Sequence, residues 1–347
     1  MHPQRADRQS SAKPCALGAG FIESSASAAD LACLDGADVL TRISAIALNT
    51  YREAVRARLL LGILALGVAM CLYSVVAAAQ SLHQELRVVA DVGSAALSLC
   101  AVLAAIVLGS TSLYRELELK TIFPILSRPI RRWEYLLGKY LGTILTVSVF
   151  IAVEAATVFS LLALEAGQRP WKVVTMATVL FAALGAGLLR ARHLRVFLVV
   201  PWTLVCTCAF WLLAAPAFEE RQVVTASAIL SVFEIAIVAA AATLFSSFSS
   251  PFLTAACTTM MFLIGRSSDT MAHIPKGVFG AGCSAAGRVG AHLIPNLHTY
   301  VPPRPLLLGE TAEPIWRYVA MAGVQAVAYS AILLVLAMVA FKRRDFS

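Results

Sequence analysis

Eight stretches of the chain are apolar over lengths comparable to a membrane crossing, at about residues 59–79, 93–114, 141–164, 173–189, 196–216, 224–246, 251–265 and 316–341. A helix needs roughly 20 such residues to cross a hydrocarbon layer, so the pattern predicts transmembrane helices, with the fourth and seventh runs short. The fold class that follows is all-α: a polytopic integral membrane helix bundle of about eight transmembrane helices.

The polar intervals carry the second level of pattern. From Thr41 to Arg58, apolar positions recur at Ile43, Ile46, Ala47 and Tyr51, with Arg42, Arg52, Arg56 and Arg58 among them. This spacing predicts an amphipathic helix that lies on the membrane and feeds the first span. Residues 1–40 show no sustained period and are expected to form a disordered cytoplasmic tail. The longest charged interval between two spanning runs is 115–140, RELELKTIFPILSRPIRRWEYLLGKY. Counted from Ile130 at a helical pitch, Trp133, Leu136, Leu137, Tyr140 and Leu141 share one arc, and Arg131, Arg132, Tyr135 and Lys139 oppose it. A surface helix opened by Pro129 is expected there, preceded by a shorter helix over 115–126. Residues 266–314, rich in glycine and proline, cannot form one continuous helix, and a short helix is expected around 285–293.

Composition narrows the class. Hydrophobic residues make up 59% of the chain and charged residues 14%, with a mean hydropathy of +0.78. A soluble domain of this length would need more charge to cover its surface. The net charge of +8 does not point to nucleic acid, because the basic residues cluster at the ends of apolar runs. With the N-terminus inside, 19 of the 28 Lys and Arg residues fall on inner segments, which predicts both termini cytoplasmic and an even number of spans.

The chemistry available is sparse. No G-x-x-x-x-G-K-[ST] loop occurs, so the chain has no phosphate cradle of its own, and no cofactor is expected. The six His and eight Cys residues lack ligand spacing, so no metal site is expected and the cysteines read as small buried hydrophobes. Two carboxylates, Glu154 and Glu234, fall near the middle of spans three and six. Each costs on the order of 2.5–3.5 kcal/mol at that depth, so each must face protein or a water-filled cavity. They fit structural hydrogen bonds to Ser, Thr or Tyr of a neighbouring helix first, and are also candidates for a path taken by a polar or cationic substrate. Gly138 and Gly142 are spaced for close approach of another helix.

The run RE-x-E-x-x-T-I followed by LSRP-I-R-R-W-E-x-L-L-G-K-Y-L-G resembles the cytoplasmic loop of the type-2 ATP-binding-cassette (ABC-2) permease family. So do ATLFSSFSSP with the following FLIG, LIPN at 293–296, and the closing AFKRRDF. One departure is Lys120, where that family tends to carry glycine. The resemblance covers about 41–165 and 224–347, which implies a six-span core with a two-span insertion at 166–223. It further implies a permease subunit in a cell (inner) membrane, paired with a second permease copy and driven by a separate ABC ATPase, with export the expected direction. Arg115, Glu116, Glu118, Thr121 and Ile122 would couple to the ATPase, and Pro129, Arg132, Trp133, Gly138 and Lys139 would form the interfacial helix. A non-transporting membrane anchor using the same loop, or a secondary transporter, remains the alternative.

Overall fold

Inside hydrocarbon a backbone can satisfy its hydrogen bonds only within a helix or a closed barrel, and the computed structural model takes the helical solution throughout its regular elements. The structure describes residues 28–118, 131–190, 195–272, 295–301, 304–308 and 314–342. Its helices are α1 (Ala28–Val55), α2 (Arg58–Ala78), α3 (Glu85–Glu118), α4 (Arg132–Glu165), α5 (Pro170–Arg190), α6 (Arg195–Leu213), α7 (Phe218–Ser246), α8 (Pro251–Arg266), α9 (Ser268–Ala272), α10 (Arg304–Leu307) and α11 (Ile315–Lys342), with a 3₁₀ turn at Leu297–Tyr300. Residues 1–40 and Thr41–Ser347 form separate units. Helical backbone from Ala28 shortens the stretch expected to lack regular structure.

Seven of the described helices (α2 to α7 and α11) are long and apolar enough to cross a membrane. Helix α8, with 16 residues, extends only about 24 Å and falls short of the ~30 Å hydrocarbon layer. The expected spans over 173–189 and 196–216 are both present as α5 and α6. Helices α3, α4 and α7 form the centre, with 67%, 61% and 61% of their apolar windows buried, against 11% and 17% for α5 and α6 at the edge. Helix α3 packs on α2, α4 and α7, and α11 closes against α7.

Turns follow from local chemistry. At the end of α4, Gly167 takes a left-handed φ of 81°. Its N–H donates to Leu164 O at 3.1 Å and that of Gln168 to Ala163 O at 3.1 Å, the paired bonds of a glycine-terminated helix. Pro170 then opens α5, where its missing N–H is harmless. Between α7 and α8 the serines bond backwards onto the end of α7. Ser247 Oγ donates to Leu244 O and Ser249 Oγ to Phe245 O, each at 2.7 Å, while Ser250 makes no side-chain cap.

The amphipathic entry helix is present, and its described side chains explain the pattern. Ile43, Ala47, Thr50, Tyr51 and Ala54 are buried. Tyr51 Oη donates to Val196 O at 3.2 Å, its ring stacks on Phe197, and burial raises its hydroxyl pKa. The same helix receives α4 closely. A Cβ built on Gly142 would stand 2.6 Å from Ala47 O, and one on Gly138 would stand 2.7 Å from Ile46 Cβ. Gly142→Ala is therefore expected to destabilise by about 1–3 kcal/mol, because a helical carbonyl cannot step aside. Gly62→Ala, with nothing within 4 Å, is the control and should be neutral or slightly stabilising. Unfolding temperatures in one detergent compare the two.

A correction concerns 130–141. The separate surface helix expected there is, over the described residues, the first part of α4, which runs unbroken to Glu165. Tyr135 and Lys139, placed on the exposed arc, are 7% and 5% exposed. The periodicity was real, but both faces meet protein: Gly138 and Gly142 meet α1, while Tyr135, Leu136 and Tyr140 pack with residues of α7 and α11.

Candidate functional site

At the end of the bundle where α3 begins at Glu85 and α7 at Phe218, the two helices face one another with serines one turn apart. Ser94 and Ser98 on α3, and Ser227 and Ser231 on α7, line a cavity of about 270 Å³ with Asp91, Arg266, Tyr300 and Arg304. Spacing of i and i+4 puts each pair on one helical face. Asp91 and Glu234 lie within one turn of Ser94 and Ser231, so polar groups of both helices gather on this side.

Glu234 lies fully buried, less than one turn below Ser231. It accepts a hydrogen bond from Ser98 Oγ at 3.1 Å and is ion-paired to Arg266 Nη1. Arg266 is the last residue of α8, and its pairing with Glu234 joins that end of α8 to α7. The following segment then returns onto the bundle. Leu297 and Tyr300 are buried, Tyr300 Oη donates to Ala322 O at 3.3 Å, and Tyr318 Oη donates to Thr299 O at 2.5 Å. Burial raises the Tyr300 hydroxyl pKa, and the negative charge of Glu234 adds to the effect. At the rim, Arg304 joins Asp91 of α3 to Glu220 of α7. The arrangement is a chamber of mixed lining, serines and arginines among apolar side chains, with one ion pair at its floor and a second, three-membered one at its mouth.

Glu154 has a different setting. It is fully buried, and neither carboxylate oxygen has a hydrogen-bond partner among the described residues. It faces Gly67 of α2, where a Cβ would come within 1.6 Å of Oε1, and it does not line the serine cavity. Only Glu234 of the two sequence candidates bonds to cavity-lining side chains. Burying a carboxylate without partners opposes folding. Glu154→Gln is thus expected to unfold at a temperature no lower than the unsubstituted protein, and a drop of several degrees would mean a partner is being lost.

Of the inner-face residues, Arg115, Glu116 and Glu118 stand in the closing turn of α3, continuous with its span. Their side chains, together with Thr121, Ile122 and Pro129, lie outside the described residues. Arg132 is exposed and Trp133 half-buried at the start of α4, while Gly138 and Lys139 are buried beyond them. Lys139 Nζ sits 5.6 Å from the Tyr135 ring centre. Sequence reading missed Glu134, which is fully buried with Arg42 at 3.8 Å and Arg131 at 4.0 Å, tying α1 to α4. It also missed Arg266 and Arg304. The signal for Arg266 was a run too short to cross that nevertheless ended on a cation.

No cluster of three or more His, Cys, Asp or Glu side chains that could hold a metal occurs among the described residues. Residues 44–346 match the family described as ABC-2 family transporter protein. A comparison with curated proteins finds no match.

Proposed function

The chain belongs to the ABC-2 transporter family and is a multi-pass membrane permease component of an ABC transporter, not itself the ATPase, and from that premise we propose that it is an exporter subunit moving a small polar solute. The observation that carries this reading is the serine-lined chamber with the Glu234–Arg266 pair at its floor. Ionisable groups at this depth persist where they serve a path or a pairing, and here Glu234 bonds to Ser98 and Arg266, both of which line the cavity. Export is the direction that the family resemblance implies, and in this reading the Lys and Arg asymmetry makes the chamber end of the bundle the outer one.

ATP hydrolysis belongs in this reading to a separate soluble subunit that docks on the inner loop around Glu116 to Ile122. A second permease copy completes the complex in a cell membrane of prokaryotic type. Nucleotide-driven closure of the ATPase pair would push on the inner end of α3. That helix is continuous from Glu85 to Glu118, so its outer serines must move with its inner end.

The test is to co-express the chain with its ATPase in proteoliposomes and screen polar solutes for stimulation of ATP turnover. A stimulating solute should lose its effect in Ser98→Val or Ser231→Val, which line the chamber. Stimulation only by apolar compounds, unaltered in both variants, would overturn the path. Intact assembly with no stimulating compound would favour the anchor role.

A further inference from the structure

A second cavity, of about 520 Å³, lies between α4, α6 and α7 and bears on a partner other than the transported solute. On α4 its lining runs from Ser148 to Phe159. At 1.5 Å per residue that is about 16 Å, close to half of the ~30 Å hydrocarbon thickness. It begins about 9 Å from the Glu165 end of α4 and ends about 26 Å from it, so it straddles the middle of a ~30 Å hydrocarbon layer. Its walls are aliphatic or aromatic, relieved by hydroxyls, and hold no carboxylate. The groove therefore has the length and the apolar lining to take one lipid acyl chain.

Its outer end is differently made. Trp211 lines it, and its indole N–H donates to Thr225 Oγ1 at 3.1 Å. Arg221 stacks on Trp211 with its guanidinium carbon 4.0 Å from the ring centre and donates to Trp211 O at 3.3 Å. Among the described residues no carboxylate pairs with Arg221, whereas neighbouring Glu220 is taken by Arg304. Arg221 lies three residues into α7, at headgroup depth, where a tryptophan belt and a cation meet the phosphate layer.

We propose that this groove binds a membrane phospholipid, one acyl chain between α4, α6 and α7 and its phosphate on Arg221. The site is independent of the solute chamber, which lies on the α3 side of α7. It assigns a role to the edge pair: α6 supplies one wall of a lipid site, and the stacked indole holds the guanidinium with its remaining donors free for a phosphate.

The full chain, purified in mild detergent and analysed by native mass spectrometry after exposure to phosphatidylcholine or to diacylglycerol, tests this. The unsubstituted protein should retain phosphatidylcholine in preference to diacylglycerol. Arg221→Gln should weaken phosphatidylcholine retention about tenfold while leaving diacylglycerol unchanged, and Arg221→Lys should recover part of the loss. Ala228→Phe, which fills the groove, should displace both lipids. Unfolding temperature establishes that each variant is folded, and Arg221→Gln alone decides if Ala228→Phe is not. Retention unaffected by Arg221→Gln would overturn the phosphate site. Cys208 lines the groove and is exposed. Efficient oxidative Cys208–Cys208 cross-linking between copies in membranes would place a second copy there and overturn the proposal.

Discussion

Arg266→Ala should be among the most damaging single substitutions in the chain, with an expected loss of about 3–5 kcal/mol against a total stability of typically 5–15 kcal/mol. The reason is asymmetric burial. Glu234 is fully buried and Arg266 about a quarter exposed, so removing the arginine strands a carboxylate that water cannot reach, while the reverse deletion leaves a cation that can be hydrated. Ser98 alone, at 3.1 Å, cannot replace the pairing. Glu234→Gln should therefore be milder, and the Arg266→Ala/Glu234→Gln double variant should be more stable than Arg266→Ala alone. Unfolding temperatures of the three proteins in one detergent check this. An Arg266→Ala protein as stable as its parent would mean that Glu234 is already neutral or wetted, and the ion pair would lose its place at the chamber floor.

Reversing charge at the inner end of α3, by Glu116→Arg or Glu118→Arg, should abolish co-purification with the ATPase or leave its hydrolysis running without solute stimulation. The expectation rests on the loop's resemblance to the ABC-2 docking segment and on the continuity of α3, which makes the two glutamates part of the same rod as Ser94 and Ser98. Stability should change little, since both residues belong to a helix end beyond the apolar window. Glu165→Arg, at the opposite end of α4, is the control and should leave assembly intact. Normal co-purification and normal stimulation in both α3 variants would remove the docking assignment and leave the chamber without a mechanical input.

Particular residues show where legibility ends. The arc Ile43, Ala47, Tyr51 was readable because the entry helix has protein on one side and water or headgroups on the other, so polarity records the face. The same logic misplaced Tyr135 and Lys139. There the helix is protein-covered on both sides, and Lys139 is buried at 5% exposure, with its ammonium over the Tyr135 ring. Gly138 and Gly142 were visible as a spacing, yet only the packing identifies α1 as the helix they admit.

By itself the sequence determined the all-helical membrane class, seven of the expected apolar helices, the entry helix and the placing of the two carboxylates within apolar helices, while the orientation it predicts from basic residues stays an expectation. These follow from local quantities: segment length against bilayer thickness, charge at segment ends, and the cost of charge in hydrocarbon. Only the tertiary structure decided which spans form the centre, that Glu234 meets Arg266 while Glu154 meets Gly67, and that the serines of α3 and α7 enclose one chamber. In a membrane, lipid and protein core are equally apolar, so hydrophobicity no longer distinguishes the two faces of a helix. The partner of a buried group is then fixed by packing between segments far apart in the chain.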